Sequence, residues 1–313
     1  MRLIRAAGLV TVQDLGWSGL RSIGMPPGGA ADRPALRIGN ALVGNPDGAA
    51  GLEVALGDVE VEFLTSTVFA ATGAVGTFQL DGTEMPAWTT LTAGPGRRCR
   101  LAPSREGRFA CLALGGGIDL PLLLGSRSTY LPAALGGHQG RRLAAGDVLP
   151  VGASPASRPI LGTTGRADQD FAHPIRIAPG PQDRLFGADA FEQLAAGSYR
   201  LSPTSDRMGS RLVGGRIRAR QTATLPSEST AVGAIQVPDD GQPIVILPDG
   251  PTVGGYLKIG VVITADLPRF AQVPLGGEVR FEWVAVAEAQ RLAHRAADGL
   301  ARLIHEIRGG TGR

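Results

Sequence analysis

The sequence predicts a mostly β protein of two domains, with a few short helices and one longer helix at the C-terminus. Three observations carry that expectation. The 313 residues exceed the usual size of a single domain. The 46 glycines and 23 prolines are spread along the whole chain, which suits many short elements joined by tight turns. Between those turns recur short apolar stretches rich in β-branched or alternating residues, the pattern of strands.

Strands are expected in GLEVALGDVEVEF (51–63), TVFAATGA (67–74), FACLALGG (109–116), PIVIL (243–247), KIGVVITA (258–265) and EVRFEWV (278–284). Helix signals are fewer. Asp32 followed by Pro34 marks a helix start, and PALRIGNALV keeps apolar residues at helical spacing until Gly44 stops it. ADAFEQLAAG (188–197) reads as a second short helix. The polar Gly/Ser/Pro-rich stretch 152–170 reads as a linker. The expected organisation is a domain over 1–152, a second over 171–284 and a helix within 285–313. That helix places Ala289, Leu292, Ala293, Ala296, Leu300, Leu303, Ile304 and Ile307 on one face. Such a face either packs on its own domain or binds a partner.

Composition excludes several function classes. Net charge is +3 and the basic residues are arginines except for one lysine, Lys258. The arginines are scattered and aromatics make up 5%, so no basic, stacking surface for nucleic acid is expected. Cys99 and Cys111 sit in strand-like runs outside any metal or redox spacing and read as small buried hydrophobes. His294 and His305 have no ligand spacing around them, so no metal is expected. The N-terminal stretch reaches Asp14 too early for a signal peptide, and no apolar run is long enough to cross a bilayer. A cytoplasmic location is the expectation. The single lysine lies in GGYLKIG, which is no P-loop and no biotin-acceptor turn. Any ATP therefore binds another way or on another subunit, and no covalent biotin is expected here. A GxSxG elbow is absent, and LGGGID (114–119) lacks the GxGxxG spacing of a dinucleotide loop.

Three polar segments are candidates for a site. In MPPGGAAD, Gly28 and Gly29 lead into the helix N-terminus at Asp32. That terminus can offer N–H groups to an anion, or Asp32 can simply cap the helix. In SPTSDRMGSRL, an extended chain points Arg207 one way and Asp206 the other. The Asp-Arg pair either binds substrate or fixes a turn. In GAIQVPDDGQPIVILPDGPTVGGYLKIGVVI, Gln236 is an amide inside an apolar strand and needs a partner. Asp249 is delivered at the end of a strand, and Gly254 and Gly255 permit close backbone approach. Tyr256 and Lys258 fall on one side of an extended chain. A chain that otherwise uses arginine retains an amine here, which points to a chemical role for Lys258. Asp249 is its expected counterion.

At these segments the chain resembles the family of the C-type 5-oxoprolinase subunit, also known as allophanate hydrolase subunit 2, which is related to urea amidolyase. TVQDLGWSGLRSIGMPPGGAADRPALRIGNALVGNPDGAAGLEVALG is similar to that family's N-terminal signature. LALGGGIDLPLLLGSRSTYLPAALGGHQGRRLAAGD, PGPQD (179–183), SDRMGSRL, GAIQVPDDGQPIVIL and TVGGYLKIGVVITADLPR follow in order, so that about residues 3–284 are covered. The resemblance implies two cyclophilin-like β-barrel domains of carboxyltransferase type with a cleft between them. It implies an enzyme subunit that works with a B-type subunit (allophanate hydrolase subunit 1-like) and a third subunit to open 5-oxoproline, a cyclic amide, to glutamate with ATP. Alternatives are biotin-dependent carboxyl transfer to urea or a related amide, and a non-enzymatic kinase-regulating module. The family's TGGYPK motif falls on Val253 to Lys258, and its active-site aspartate on Asp249. Catalytic roles are thereby implied for Lys258, Asp249 and Tyr256. Substrate-binding roles are implied for Asp206, Arg207, Gln236, Gly254, Gly255, Asp32, Gly28 and Gly29. The chain departs from the family at Gly250-Pro251, where an Arg and a Gln are usual, and in PPGGAAD, where the family reads PPSGAMD.

Overall fold

The computed structural model describes residues 1–154, 173–220 and 226–309. Most of the expected linker, from residue 155 on, lies outside the described residues. The chain forms two compact units. Of the described residues, the first comprises 1–17, 28–154 and 299–309, and the second comprises 18–27, 173–220 and 226–298.

The first unit holds β1 (Arg2–Ala6), β2 (Leu9–Gln13), α1 (Arg33–Leu42), β3 (Gly51–Ala55), β4 (Val59–Glu62), β5 (Thr67–Gly73), β6 (Val75–Leu80), β7 (Thr83–Glu84), β8 (Leu91–Ala93), β9 (Arg98–Pro103), β10 (Phe109–Leu114), β11 (Thr129–Tyr130) and β12 (Leu135–Gly136). The second holds β13 (Ile175–Pro179), a 3-10 turn (Asp183–Leu185), α2 (Ala188–Ala196), β14 (Tyr199–Leu201), β15 (Gly209–Val213), β16 (Glu228–Ser229), β17 (Ala234–Val237), β18 (Ile244–Ile246), β19 (Val253–Gly254), β20 (Leu257–Val262), α3 (Leu267–Gln272), β21 (Glu278–Val279) and β22 (Phe281–Trp283). Helix α4 (Val286–Gly309) starts in the second unit and ends in the first.

In the first unit two five-stranded sheets, ordered β1-β4-β9-β6-β7 and β2-β3-β10-β5-β8, share one core. Leu3, Val61, Phe78 and Leu101 reach it from one sheet, and Val12, Leu52, Val54, Phe69 and Leu112 from the other. The expected strand 51–63 divides between the two sheets. The break falls at Leu56, which adopts a positive φ of 56°, so the chain turns before Val59. The second sheet is buried on both faces. Period-two alternation sends Leu52, Phe69 and Leu112 into the core and Ala70 and Ala113 to the opposite face. There they meet Ile38 and Leu42 of α1, together with Ile304 and Ile307 of α4. The apolar face of the C-terminal helix is thus covered at home over its last turns. Asp32 caps α1 by accepting from Ala35 N–H at 3.0 Å, with Pro34 in the first turn, which is the capping reading of that residue.

In the second unit one eight-stranded sheet runs β21-β14-β15-β18-β17-β20-β13-β22. Its two edge strands are separated in sequence by Arg280 alone, so the sheet curls into a nearly closed barrel around Ile177, Tyr199, Leu212, Ile235, Ile259 and Phe281. A two-stranded ribbon, β16-β19, stands apart from that sheet. LPRFAQ forms α3, a helix not foreseen: Pro268 occupies the first turn, where its missing N–H costs nothing. Both cysteines are free and buried. Burial pushes the Cys99 thiol up to about 12, so these are packing residues.

Candidate active site

Lys258 lies on β20 between Leu257 and Ile259, both of which face the barrel core. Alternation therefore directs its side chain out of the barrel, yet the side chain is only 3% exposed. What covers it is the ribbon. β16 pairs with β19, Glu228 opposite Gly254 and Ser229 opposite Val253. Glu228 Oε1 stands 2.7 Å from Lys258 Nζ, and the ammonium beside it holds the Glu228 carboxyl below its ordinary value. Nζ also donates to the Tyr256 carbonyl at 3.2 Å. Gln182, in the PGPQD segment, accepts from the Lys258 N–H at 3.1 Å through Oε1 and donates to Glu228 through Nε2.

Gln236 is opposite Lys258 on β17 and is also directed outward, because its neighbours Ile235 and Val237 face the core. Its amide fills the space beside Gly254: a Cβ there would lie 2.6 Å from Gln236 Nε2 and 3.1 Å from Thr230 Oγ1. Glycine at 254 thus serves a close approach of the chain's own side chains. Arg21, from the N-terminal segment that belongs to this unit, donates to the Thr230 carbonyl. Lys258, Glu228, Gln182, Gln236, Thr230 and Gly254 form one polar cluster on the outer wall of the barrel.

Asp249 does not partner Lys258. It receives a two-pronged contact from Arg207, Nε to Oδ2 at 2.8 Å and Nη2 to Oδ1 at 3.0 Å, with both side chains at most 4% exposed. The guanidinium's planar fork matches the carboxylate better than a single ammonium does. Asp206 turns the other way and accepts from the Met208 and Gly209 N–H groups at 2.8 and 3.0 Å, fixing a turn. The expected convergence of Tyr256 with Lys258 is corrected as well. Tyr256 precedes the first residue of β20, so the strand's period does not reach it, and its side chain is exposed. Its carbonyl, not its phenol, meets the amine. Gly255 is exposed beside it.

Gly28, Gly29 and Asp32 belong to the first unit. Both glycines have positive φ, 53° and 79°, and a Cβ at Gly29 would meet Leu15 and Gly16 backbone at 2.7 Å. The loop's amides are used internally: Ala30 donates to the Asp14 carbonyl at 2.9 Å and Ala31 to Glu53 Oε2 at 2.7 Å. Among the described residues no group of acidic, His or Cys side chains has metal-holding geometry, and no helix is long and apolar enough to cross a membrane.

Sequence reasoning missed Glu228, Gln182, Thr230 and Arg21. The demand for a carboxylate near a buried lysine was legible. Which of the 28 acidic residues would supply it was not, because Glu228 lies 30 positions away on a two-residue strand.

Residues 23–283 match the family described as carboxyltransferase domain, subdomain A and B. The chain is 39% identical over 289 residues to the C subunit of 5-oxoprolinase from Escherichia coli, covering 92% of this chain and 93% of the relative. The corresponding protein of Haemophilus influenzae is 36% identical, with 95% and 96% covered. The K. lactis urea amidolyase crystal structure superposes with a TM-score of 0.87 at 27% identity, covering 96% of this chain and 20% of that one. The chain therefore spans nearly the whole of the two 5-oxoprolinase relatives but about a fifth of the amidolyase.

Proposed function

The chain belongs to the carboxyltransferase family of subdomains A and B, and from that premise we propose that it is a C-type subunit of an ATP-dependent 5-oxoprolinase. It would act with a B-type subunit and a third subunit to open 5-oxoproline to glutamate. The observation that carries this choice is identity. The chain is 39% and 36% identical to the two C-type 5-oxoprolinase subunits, against 29% to the urea amidolyase of Saccharomyces cerevisiae.

The reaction sets the requirements. A lactam carbonyl is poorly electrophilic, and attack on it places negative charge on its oxygen. Lys258 supplies the opposing charge from a site shielded from water, where such an interaction is strongest. An ammonium has three N–H donors. Glu228 and the Tyr256 carbonyl take two, which leaves one without a partner among the described residues for a substrate oxygen. Gln236 and Thr230 orient the amide. ATP activates the carbonyl at a site that is not a P-loop of this chain, and a cytoplasmic location suits a reaction that consumes it. Biotin-dependent carboxyl transfer to urea or a related amide is the second reading, favoured by the amidolyase superposition. It requires a separate biotin-bearing protein.

Replacing Lys258 by Met keeps the stem and removes the charge. Turnover of 5-oxoproline by the assembled subunits should fall by about 10²-fold or more, the scale for losing one charge stabiliser. Arg should not restore it, since its planar head cannot occupy the same point. Near-normal turnover of Lys258→Met would remove the amine from the mechanism.

A further inference from the structure

Three contacts close a ring around Lys258. Its backbone N–H donates to Gln182 Oε1, Gln182 Nε2 donates to Glu228 Oε1, and the same oxygen meets Lys258 Nζ. The ring ties the root of the lysine side chain to its tip through two residues that the function so far leaves unassigned. We propose that Gln182 and Glu228 are a positioning pair that fixes the place and the charge of the Lys258 amine. The proposal rests on the reading of Lys258 as the group that meets the substrate oxygen.

The physical case has two parts. A lysine side chain has four rotatable bonds, and an ammonium out of water is stable only beside a compensating carboxylate. Glu228 is that carboxylate, but at 40% exposure a lone glutamate has its own freedom to move. Gln182 removes that freedom. Its amide is anchored by the β20 backbone at one end and grips the carboxylate at the other, so the reach from the Lys258 backbone to Nζ is set by a fixed spacer. Other groups on the elements around β20 cannot substitute. Gln236 of β17 is neutral, and Arg176 of β13 is engaged by Asp266 at 2.5 Å. Arg21, which donates to the Thr230 carbonyl, Asp183 and Arg184 of the 3-10 turn and the Tyr256 phenol are further ionisable groups of this unit, and the amine's contacts are with Glu228 and the Tyr256 carbonyl instead. Asp249 is committed to Arg207.

The chain's single lysine makes the test direct. Full-length protein labelled with 13C at lysine Cε gives one lysine resonance, whose position and line width report Lys258 alone. Glu228→Gln keeps the size and a hydrogen-bond acceptor but not the charge. Its lysine Cε resonance should move and broaden relative to the wild type, since the amine loses the contact that holds it. Gln182→Ala keeps the charge and should move the resonance less, while broadening it as the contact loosens. In the assembled enzyme both variants should lower kcat with little change in KM, and Glu228→Asp should recover part of the loss. Glu228→Gln leaves the buried ammonium without its counterion and should lower the unfolding temperature, whereas Glu228→Asp, which keeps the charge, should unfold close to the wild type. A lysine resonance in Glu228→Gln identical in position and width to that of the wild type would overturn the positioning pair, whatever the activity. If instead the resonance changes as expected but Lys258→Met turns over normally, the pair stands and the functional reading falls.

Discussion

Asp249 and Arg207 are both almost wholly buried, and either one deprived of its partner leaves a charge in the protein interior. The pair also joins two loops: Asp249 N–H donates to the Arg207 carbonyl and Leu247 N–H to that of Met208, at 3.1 and 3.0 Å. Asp249→Asn should therefore lower stability by roughly 3–5 kcal/mol, as breaking a buried pair does. A hydrophobic replacement of both partners should recover much of that loss. Urea denaturation of the single and double variants gives the comparison. Activity lost in Asp249→Asn without a stability cost would make the aspartate a reacting group rather than a strut. At this scale the sequence was legible in residue type but not in pairing. A lone lysine among arginines announces itself. That the aspartate would go to the arginine and the lysine to Glu228 follows from guanidinium geometry and from which strands lie over which, and neither is written in local spacing.

Among the elements, the loop 247–250 shows why a motif can lose a residue. A Cβ on Gly250 would stand 2.5 Å from Ile246 Cγ2 and 2.6 Å from the Met208 carbonyl. The backbone leaves no room for the arginine usual at that position of the family. Gly250→Ala should cost about 1–3 kcal/mol, the usual cost of overpacking, and thermal unfolding measures it. An alanine tolerated without loss would mean that the loop has slack. Strands and the helices with clear caps were readable because alternation, Asp32, Pro34 and Gly44 are local signals. The split of residues 51–63 between two sheets was hidden, since both strands alternate correctly and only the turn at Leu56 separates them. The ribbon β16-β19 was hidden for the opposite reason: its strands are two residues each, too short for any period. The site was accordingly half readable, its lysine strand plain and its cover invisible.

For the whole molecule, commitment of the single lysine has a consequence for cofactor chemistry. Biotin is carried on an exposed lysine at a hairpin turn, whereas Lys258 is buried in a strand and held by a carboxylate. Protein from its native host should show no mass increment equal to one biotin on Lys258; such an increment would contradict this. The mostly β architecture was legible from glycine, proline and alternation together. The allocation of segments to units was not, because residues 18–27 and the two halves of α4 carry no compositional mark of where they belong.

That allocation bears on how such a chain can be inherited. Neither unit is a continuous stretch of coding sequence. A break placed at the linker would separate Ile304 and Ile307 from the Trp88 and Ile38 they cover, and Arg21 from the Thr230 carbonyl it grips. Each fragment would keep most of its strands and expose an apolar or polar scar where the missing segment lay. Recombination can move the pair as a cassette into a longer polypeptide, but it cannot deal out one half alone.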